Sequence, residues 1–446
     1  MSATAGRASS TRRRRPTRVL AHVAVHPRLG LVCVLAASAL VLAACGHSAP
    51  RAAADHPLRH GRTTTTSSTA LVGAGCLRST KPEAPSASAP AAAAVQFVSP
   101  KVGWVAGAGR ILTTSDGGQT WSTELTGSFV AGEVDFLNHE DGFVVTQGAL
   151  LRTTDGGRCW TEVSEPSAGA LRSVHFVSPS KGWGIAGGDE QGPEQSRPAS
   201  TSTTDPSSAP SVAPRPPWSG GTLVETTDGG HHWATITGAP ANAQSVCFVN
   251  DDDGWLGANG QVWASKDGGA KWRETADPTT ASGYKNAPPD LEVVDCGAPS
   301  AVWVVSATGR TTVGNSPWAV FASSNGTTFH LIAQDQYSAT FTPSLITPGS
   351  FPGVASVVSA DAAAVTGYTP NREPGSQTSV QVMTADGSEI EGTHVVPEMG
   401  RPTGLAFLSR RVGWIVGTDA SSTSDAGLIE HTTNGGSTWT IQTALP

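Results

Sequence analysis

Residues 113 to 121 read TTSDGGQTW, and near-copies recur along the chain: TTDGGRCW ending at Trp160, TTDGGHHW at Trp233, SKDGGAKW at Trp272 and TTNGGSTW at Trp439. Such copies are either separate chemical sites or one structural joint used repeatedly. Each residue type has a task in a tight turn between two strands. The Thr114 hydroxyl and Asp116 carboxylate can bond nearby backbone, and Gly117 and Gly118 supply backbone angles that strain other residues. Trp121 brings a large apolar face to the neighbouring sheet, with its indole N–H free to find a carbonyl. A catalytic constellation needs different groups converging on one point, and copies spread through an array do not converge. Thr114, Asp116, Gly118, Trp121, Asp155, Trp160, Asp228, Trp233, Asp267, Trp272, Asn434 and Trp439 are therefore read as structural, and no catalytic residue is assigned.

Working outward, each copy closes a longer paragraph. A short alternating strand opens it: VQF at Val95, VDF at Val134, VHF at Val174, VCF at Val246, VDC at Val294, SVVS at Ser356 and LAF at Leu405. A second strand follows, as GWVAG at Gly103, GFVVT at Gly142, GWGIA at Gly182, GWLGA at Gly254, VWVVS at Val302 and GWIVG at Gly413. A third strand leads into the motif and a fourth starts at its Trp. The starts at 95, 134 and 174 lie 39 and 40 residues apart, and four strands in such a period are what a β-propeller blade requires. Seven first strands predict an all-β, seven-bladed propeller of four-stranded blades over residues 93–446. The sixth unit is weak, with TADGSEI at Thr384 in place of the motif, and SSNGTTF ending at Phe329 is a degenerate copy in the fifth. Residues 189–217, rich in Pro, Ser and Thr, read as a disordered insertion in the third.

The N-terminus reads differently. Seven arginines and no acid precede an apolar run from Leu29 that ends in LAACG, so residues 1–44 are expected to be an export signal. Residues 45–92, poor in large apolar side chains, are expected to be a disordered tether. Removing residues 1–44 leaves 22 basic against 36 acidic residues, a net charge of −14, which argues against nucleic acid as a partner. Beyond the anchor the chain has four cysteines, and an even count outside the cytoplasm favours two disulfides. Cys247 and Cys296 occupy equivalent strands of neighbouring repeats and are expected to pair, leaving Cys76 to tie the N-terminal segment to Cys159. No cysteine spacing suits zinc, DDDG at Asp251 reads as a solvated turn, and His231 and His232 fill variable motif positions, so no metal or cofactor is expected.

LAAC resembles the lipobox of bacterial lipoproteins, a likeness that implies lipidation of Cys45 and attachment to the outer face of the cell membrane, by either export route. The S/T-x-D-x-G-x-x-W pattern resembles the Asp box, or bacterial neuraminidase repeat, of sialidases, sortilin-type receptors and the photosystem II stability/assembly factor family. The combination of V-x-F, GW and TTDGG..W is most similar to the last, whose members are seven-bladed propellers that assist assembly of a membrane complex. The implied function is a monomeric scaffold for an unknown protein or, as a second choice, a glycan. The alternative is a sialidase-like glycoside hydrolase; against it, the FRIP sequence that marks the first triad arginine is absent, and Tyr284, Tyr337 and Tyr368 sit in no recognisable nucleophile setting. Candidate contact positions are those that vary on the frame: Thr113, Arg152, Glu225, Ala264, Ala322 and His431.

Overall fold

The computed structural model describes residues 75–83, 89–163, 165–188, 220–284, 291–298, 301–307, 317–334, 348, 351–369, 377–385, 392–421 and 426–445. The expected export signal at residues 1–44, Cys45, most of the expected tether at residues 45–92 and the 189–217 insertion lie outside the described residues. Apart from one short 3-10 turn at Pro278–Thr280, the described chain is built from strands. Among the described residues no helix is long and apolar enough to cross a membrane.

The first sheet runs in order through β1 (Ala94–Phe97), β2 (Gly103–Thr114), β3 (Ser122–Phe136), β4 (Gly142–Thr146), β5 (Ala149–Thr153) and β6 (Thr161–Val163). The second comprises β7 (Leu171–Phe176), β8 (Gly182–Ala186), β9 (Thr222–Thr226) and β10 (Ala234–Thr235). The third comprises β11 (Ala243–Phe248), β12 (Asp253–Ala258), β13 (Gln261–Lys266) and β14 (Arg273–Glu274). The fourth holds β15 (Leu291–Ala298), β16 (Ala301–Ala307), β17 (Trp318–Ser323) and β18 (His330–Gln334). The fifth holds β19 (Phe351–Ser359), β20 (Ala362–Thr369), β21 (Gln377–Thr384) and β22 (His394–Val396). The last holds β23 (Met399–Phe407), β24 (Gly413–Asp419), β25 (Gly427–Thr432) and β26 (Thr440–Leu445). Every pairing is antiparallel between strands adjacent in sequence, and the four-stranded up-and-down sheet is the propeller blade.

The sequence predicts seven blades, but among the described residues there are six. The first two repeats share one six-stranded sheet, because β3, 15 residues long, runs on from the last strand of the first repeat into the first strand of the second. Within β2 the chain doubles back at Ala108 and Gly109, the latter at φ +70°. Thr113 Oγ1 thereby donates to the Gly103 carbonyl at 3.2 Å, whereas ten extended residues would span about 33 Å. β3 then passes from pairing with β2 to pairing with β4. Seven sequence repeats thus occupy six blades, the first carrying two of the motif turns.

Burial follows from this stacking. The second strands β4, β8 and, in its first five residues, β24 are buried at every position, since sheets cover both of their faces, whereas β10 and β14 at the outer edge are exposed. The last sheet meets the first without exchanging a strand. Thr403 Oγ1 donates to the Ala92 carbonyl at 2.7 Å, Phe97 stacks on Trp414 at 3.5 Å, and Ala91 and Ala92 are wholly buried in that cluster.

Candidate functional site

Each motif turn satisfies its own polar atoms. Thr114 Oγ1 donates to Asp116 Oδ1 at 2.8 Å and accepts the Gly118 N–H at 2.9 Å, while Asp116 Oδ1 accepts the Thr120 N–H at 2.9 Å. Gly117 and Gly118 lie at φ +81° and +90°, a region that favours glycine. The same set recurs from Thr153 and Asp155, Thr226 and Asp228, Ser265 and Asp267, and Thr432 and Asn434. It needs only one acceptor oxygen and so tolerates the amide. Hydrogen bonds from the Thr120 hydroxyl and N–H hold the Asp116 carboxyl down at about 2. Its oxygens are engaged within the turn, which suits a joint and leaves little for a ligand.

What joins one repeat to the next is a different tryptophan from the one in the motif. Trp104 Nε1 donates to Gly156 O at 3.1 Å, Trp183 to Gly268 at 3.0 Å, Trp255 to Gly326 at 2.7 Å and Trp414 to Gly117 at 3.0 Å. In each case a second-strand indole grips the first motif glycine of the following repeat. The motif's own Trp121, Trp160, Trp272 and Trp439 leave their buried N–H without a partner. They pack edge-on to the first-strand Phe of the same repeat, as in Phe97–Trp121 at 6.0 Å and 86°. That Phe stacks flat on the preceding repeat's second-strand ring: Phe136 on Trp104 and Phe248 on Trp183, both at 3.5 Å. The Phe ring also explains the glycine of GW, since a Cβ on Gly103 would lie 2.6 Å from Phe97.

The second repeat has Phe143 where a Trp is expected, and Arg152 supplies the missing donor. Its Nη1 reaches Gly229 O at 3.3 Å, with the guanidinium 5.7 Å from the Phe143 ring centroid. Arg152→Ala is expected to cost about 1 to 2 kcal/mol in chemical denaturation, the range for a hydrogen bond from a charged donor. The candidate contact positions are thus partly consumed by the frame. Thr113 bonds within β2, Glu225 pairs with Lys181 at 2.6 Å, and His431 stacks on Trp414 at 4.7 Å.

The sixth repeat breaks the scheme on both sides. Ala363 stands at the Trp position and Val357 pairs with it. Trp303 Nε1, aimed from the fifth repeat, is buried without a partner beside an apolar slot between Val305, Val320, Val357 and Ala363. On the other side Glu430 is completely buried, both oxygens unpartnered, where other repeats place Leu112, Leu151, Val224, Trp263 and Phe321.

Around the axis the first strands are linked by side chains. Gln96 Nε2 donates to Phe136 O at 3.2 Å, Asp135 Oδ2 accepts Phe176 N–H at 2.7 Å, and His175 Nε2 donates to Phe248 O at 2.6 Å. Ser356 Oγ accepts Phe407 N–H at 3.0 Å. Between the fourth and fifth repeats the link is covalent, with Cys247 bonded to Cys296 across 6.0 Å between Cα atoms. Cys76 is bonded to Cys159, Cα atoms 5.0 Å apart. Burial raises the Asp135 and Asp295 carboxyls, partly offset by His175, and burial together with Asp135 pushes Glu133 up to about 8. Among the described residues no three His, Cys, Asp or Glu side chains are grouped to hold a metal. Asp253 pairs with Asn250 and Lys266, and His232 Nδ1 lies 2.5 Å from Asp228 Oδ2. Tyr284 packs against Phe321, Tyr368 lies on β20, and Tyr337 is outside the described residues.

The two faces of the blades differ. The first motif glycine donates to the first turn of its own repeat, Gly117 to Lys101 O at 2.9 Å and Gly268 to Asp252 O at 3.0 Å, so both kinds of turn lie at one face. Connections there are two to nine residues long. At the opposite face they range from two residues, between β4 and β5, to 35, between β8 and β9. This is a fixed frame with one variable face.

The chain is a β-propeller.

A family model described as photosynthesis system II assembly factor YCF48 matches residues 86–168, the span of the double-width blade. Among solved structures, YCF48 bound to D1 peptide is 12% identical, with 77% of this chain and 94% of that one covered and a TM-score of 0.46. YCF48 from Cyanidioschyzon merolae is 13% identical, covering 74% and 94%, at 0.44. An ancestral GH74 enzyme is 14% identical, covering 82% of this chain and 48% of that one, at 0.48. Among curated proteins none matches the chain.

Proposed function

We propose that this propeller is a non-enzymatic scaffold that binds another protein through the face opposite the motif turns, and that it is exported and held at the membrane by lipid on Cys45. The observation that carries the reading is the contrast between faces: connections of two to nine residues on one, of two to 35 residues on the other. Loops that vary on a rigid frame are where recognition is built. The match of residues 86–168 to the YCF48 assembly-factor family supports the same class of function. The recurring carboxylates support it by exclusion, because each is engaged within its own turn and they are dispersed around the blades.

The export and anchoring part rests on the arginine-rich start, the apolar run and LAAC before Gly46. Crosslinking in intact cells followed by affinity capture should recover a protein partner. A Cys45→Ala variant should move from the membrane fraction to the soluble fraction. Turnover of fluorogenic sialosides or other glycosides by the purified propeller, abolished by mutating carboxylates, would instead establish the hydrolase alternative.

A further inference from the structure

We propose that the Cys76–Cys159 disulfide is a thiol-cleavable clasp, and that residues 76–83 are a strap that lifts from the edge of the first sheet when it opens. The strap crosses from the second repeat to the first. Leu77 N–H donates to Trp160 O at 2.8 Å, Thr80 N–H to Thr126 O at 2.7 Å and Glu83 N–H to Gly127 O at 2.9 Å. Thr126 answers with its N–H to Ser79 Oγ at 3.2 Å and its hydroxyl to Thr80 O at 2.8 Å. The strap then passes over the tight turn of β2, where a Cβ on Gly109 would meet Glu83 N at 2.1 Å. Leu77 is its apolar anchor, packed on the cluster that contains Trp104, Phe136 and Trp160.

Little else holds it. Apart from Leu77, every residue of the strap is exposed. Ordering such a segment costs backbone freedom that five surface hydrogen bonds and one half-buried leucine do not recover, so attachment depends on the covalent link. The two disulfides differ in access. Cys76 is exposed, whereas Cys247 is only 2% exposed and sits among the first strands. Exposed disulfides are the ones that exchange readily with external thiols.

The exchange begins with a thiolate of an external dithiol attacking the more accessible Cys76 Sγ. The Sγ–Sγ bond breaks, Cys159 leaves as a thiolate and takes up a proton, and a mixed disulfide remains on Cys76. The second thiol of the reductant displaces Cys76, giving two protein thiols and the oxidised dithiol, with both electrons supplied by the reductant. Release of the strap bares the backbone edge at Thr126 and Gly127 and the socket of Leu77.

The test is a dithiothreitol titration of the full chain without denaturant, read by differential alkylation with mass spectrometry and by amide hydrogen exchange. Cys76 and Cys159 are expected to react at reductant concentrations at least about tenfold below those needed for Cys247 and Cys296. The Leu77, Thr80 and Glu83 amides should then exchange at least about tenfold faster, with Val144 and Val224 unchanged. The C76S/C159S double variant should show the same exchange pattern without reductant. Unchanged protection of the strap after reduction, prior reduction of Cys247–Cys296, or loss of protection at Val144 and Val224 as well would each overturn the proposal.

Discussion

Replacing Trp414 by alanine is expected to lower the free energy of unfolding by about 3 to 5 kcal/mol, the range for deletion of a buried aromatic ring. Trp414 is 0% exposed, stacks on Phe97 at 3.5 Å, and donates to Gly117 O at 3.0 Å. Both contacts lie between the last repeat and the first, so the substitution removes packing where the last sheet meets the first. Trp414→Phe keeps most of the ring volume and leaves the Gly117 carbonyl without its donor, so a smaller loss of about 1 to 2 kcal/mol is expected. Trp121→Ala should cost less than Trp414→Ala, because Trp121 is only half-buried and its N–H bonds nothing. Urea denaturation of the three variants checks the order. Equal losses at Trp121 and Trp414 would contradict the assignment of the joint to the second-strand ring.

Glu430→Leu is expected to stabilise the protein at pH 8 and above, by an amount on the order of a few kcal/mol. Burial, with a contribution from Glu398, pushes the Glu430 carboxyl up to about 8 from a model-compound value of 4.5. A carboxyl whose folded-state value is raised contributes stability that is fully present below about 4.5 and is lost as pH rises towards 8. The wild-type chain should therefore unfold at progressively lower temperature across that window. Leucine restores the apolar side chain that Leu112 and Leu151 provide at the same place in the first two repeats. It should also flatten the slope without abolishing it, because Glu133, pushed to about 8 as well, titrates over the same range. Thermal melts of both proteins from pH 4 to pH 9 decide the matter; parallel curves would show that Glu430 is solvated or paired in solution.

The strands and the turn chemistry were readable because each repeat writes them with the same residue types at nearly the same spacing. V-x-F, GW and TTDGG..W mark the first strand, the second strand and the turn that closes the third. What separates neighbouring sheets carries no such local signal. STELTGSFVAGEVDF holds the last strand of the first repeat and the first strand of the second with no Pro and no long polar turn between them, so the chain continues as one long strand and joins two repeats. The long-range role of Trp104 and Trp414 cannot be told from that of the motif Trp in sequence, because both rings are spaced alike within a repeat. The distinguishing contact, to a glycine of the following repeat, exists only in three dimensions. The substitution of Phe143 for Trp together with Arg152 was a usable clue, since a lost indole donor and a gained guanidinium occur in one repeat. The x of V-x-F, as Gln96, Asp135 and His175, carries no sequence signal because these residues share position but not chemistry. The weak sixth repeat was visible in the run Ala362 to Ala364 and in the motif-like TADGSEI, whose residues from 386 onward lie outside the described residues.

On the proposed function, the motif turns are joints and a protein partner meets the opposite face. Site-specific photo-crosslinking in intact cells separates the two faces, with the probe at Gln147 or Asn259 on the variable face and at Gln119 or Arg158 in the motif turns. The expected result is a protein adduct from the first pair of positions and none from the second. Adducts from the motif turns alone, or an Asp116→Asn variant that folds normally yet loses its partner, would contradict it.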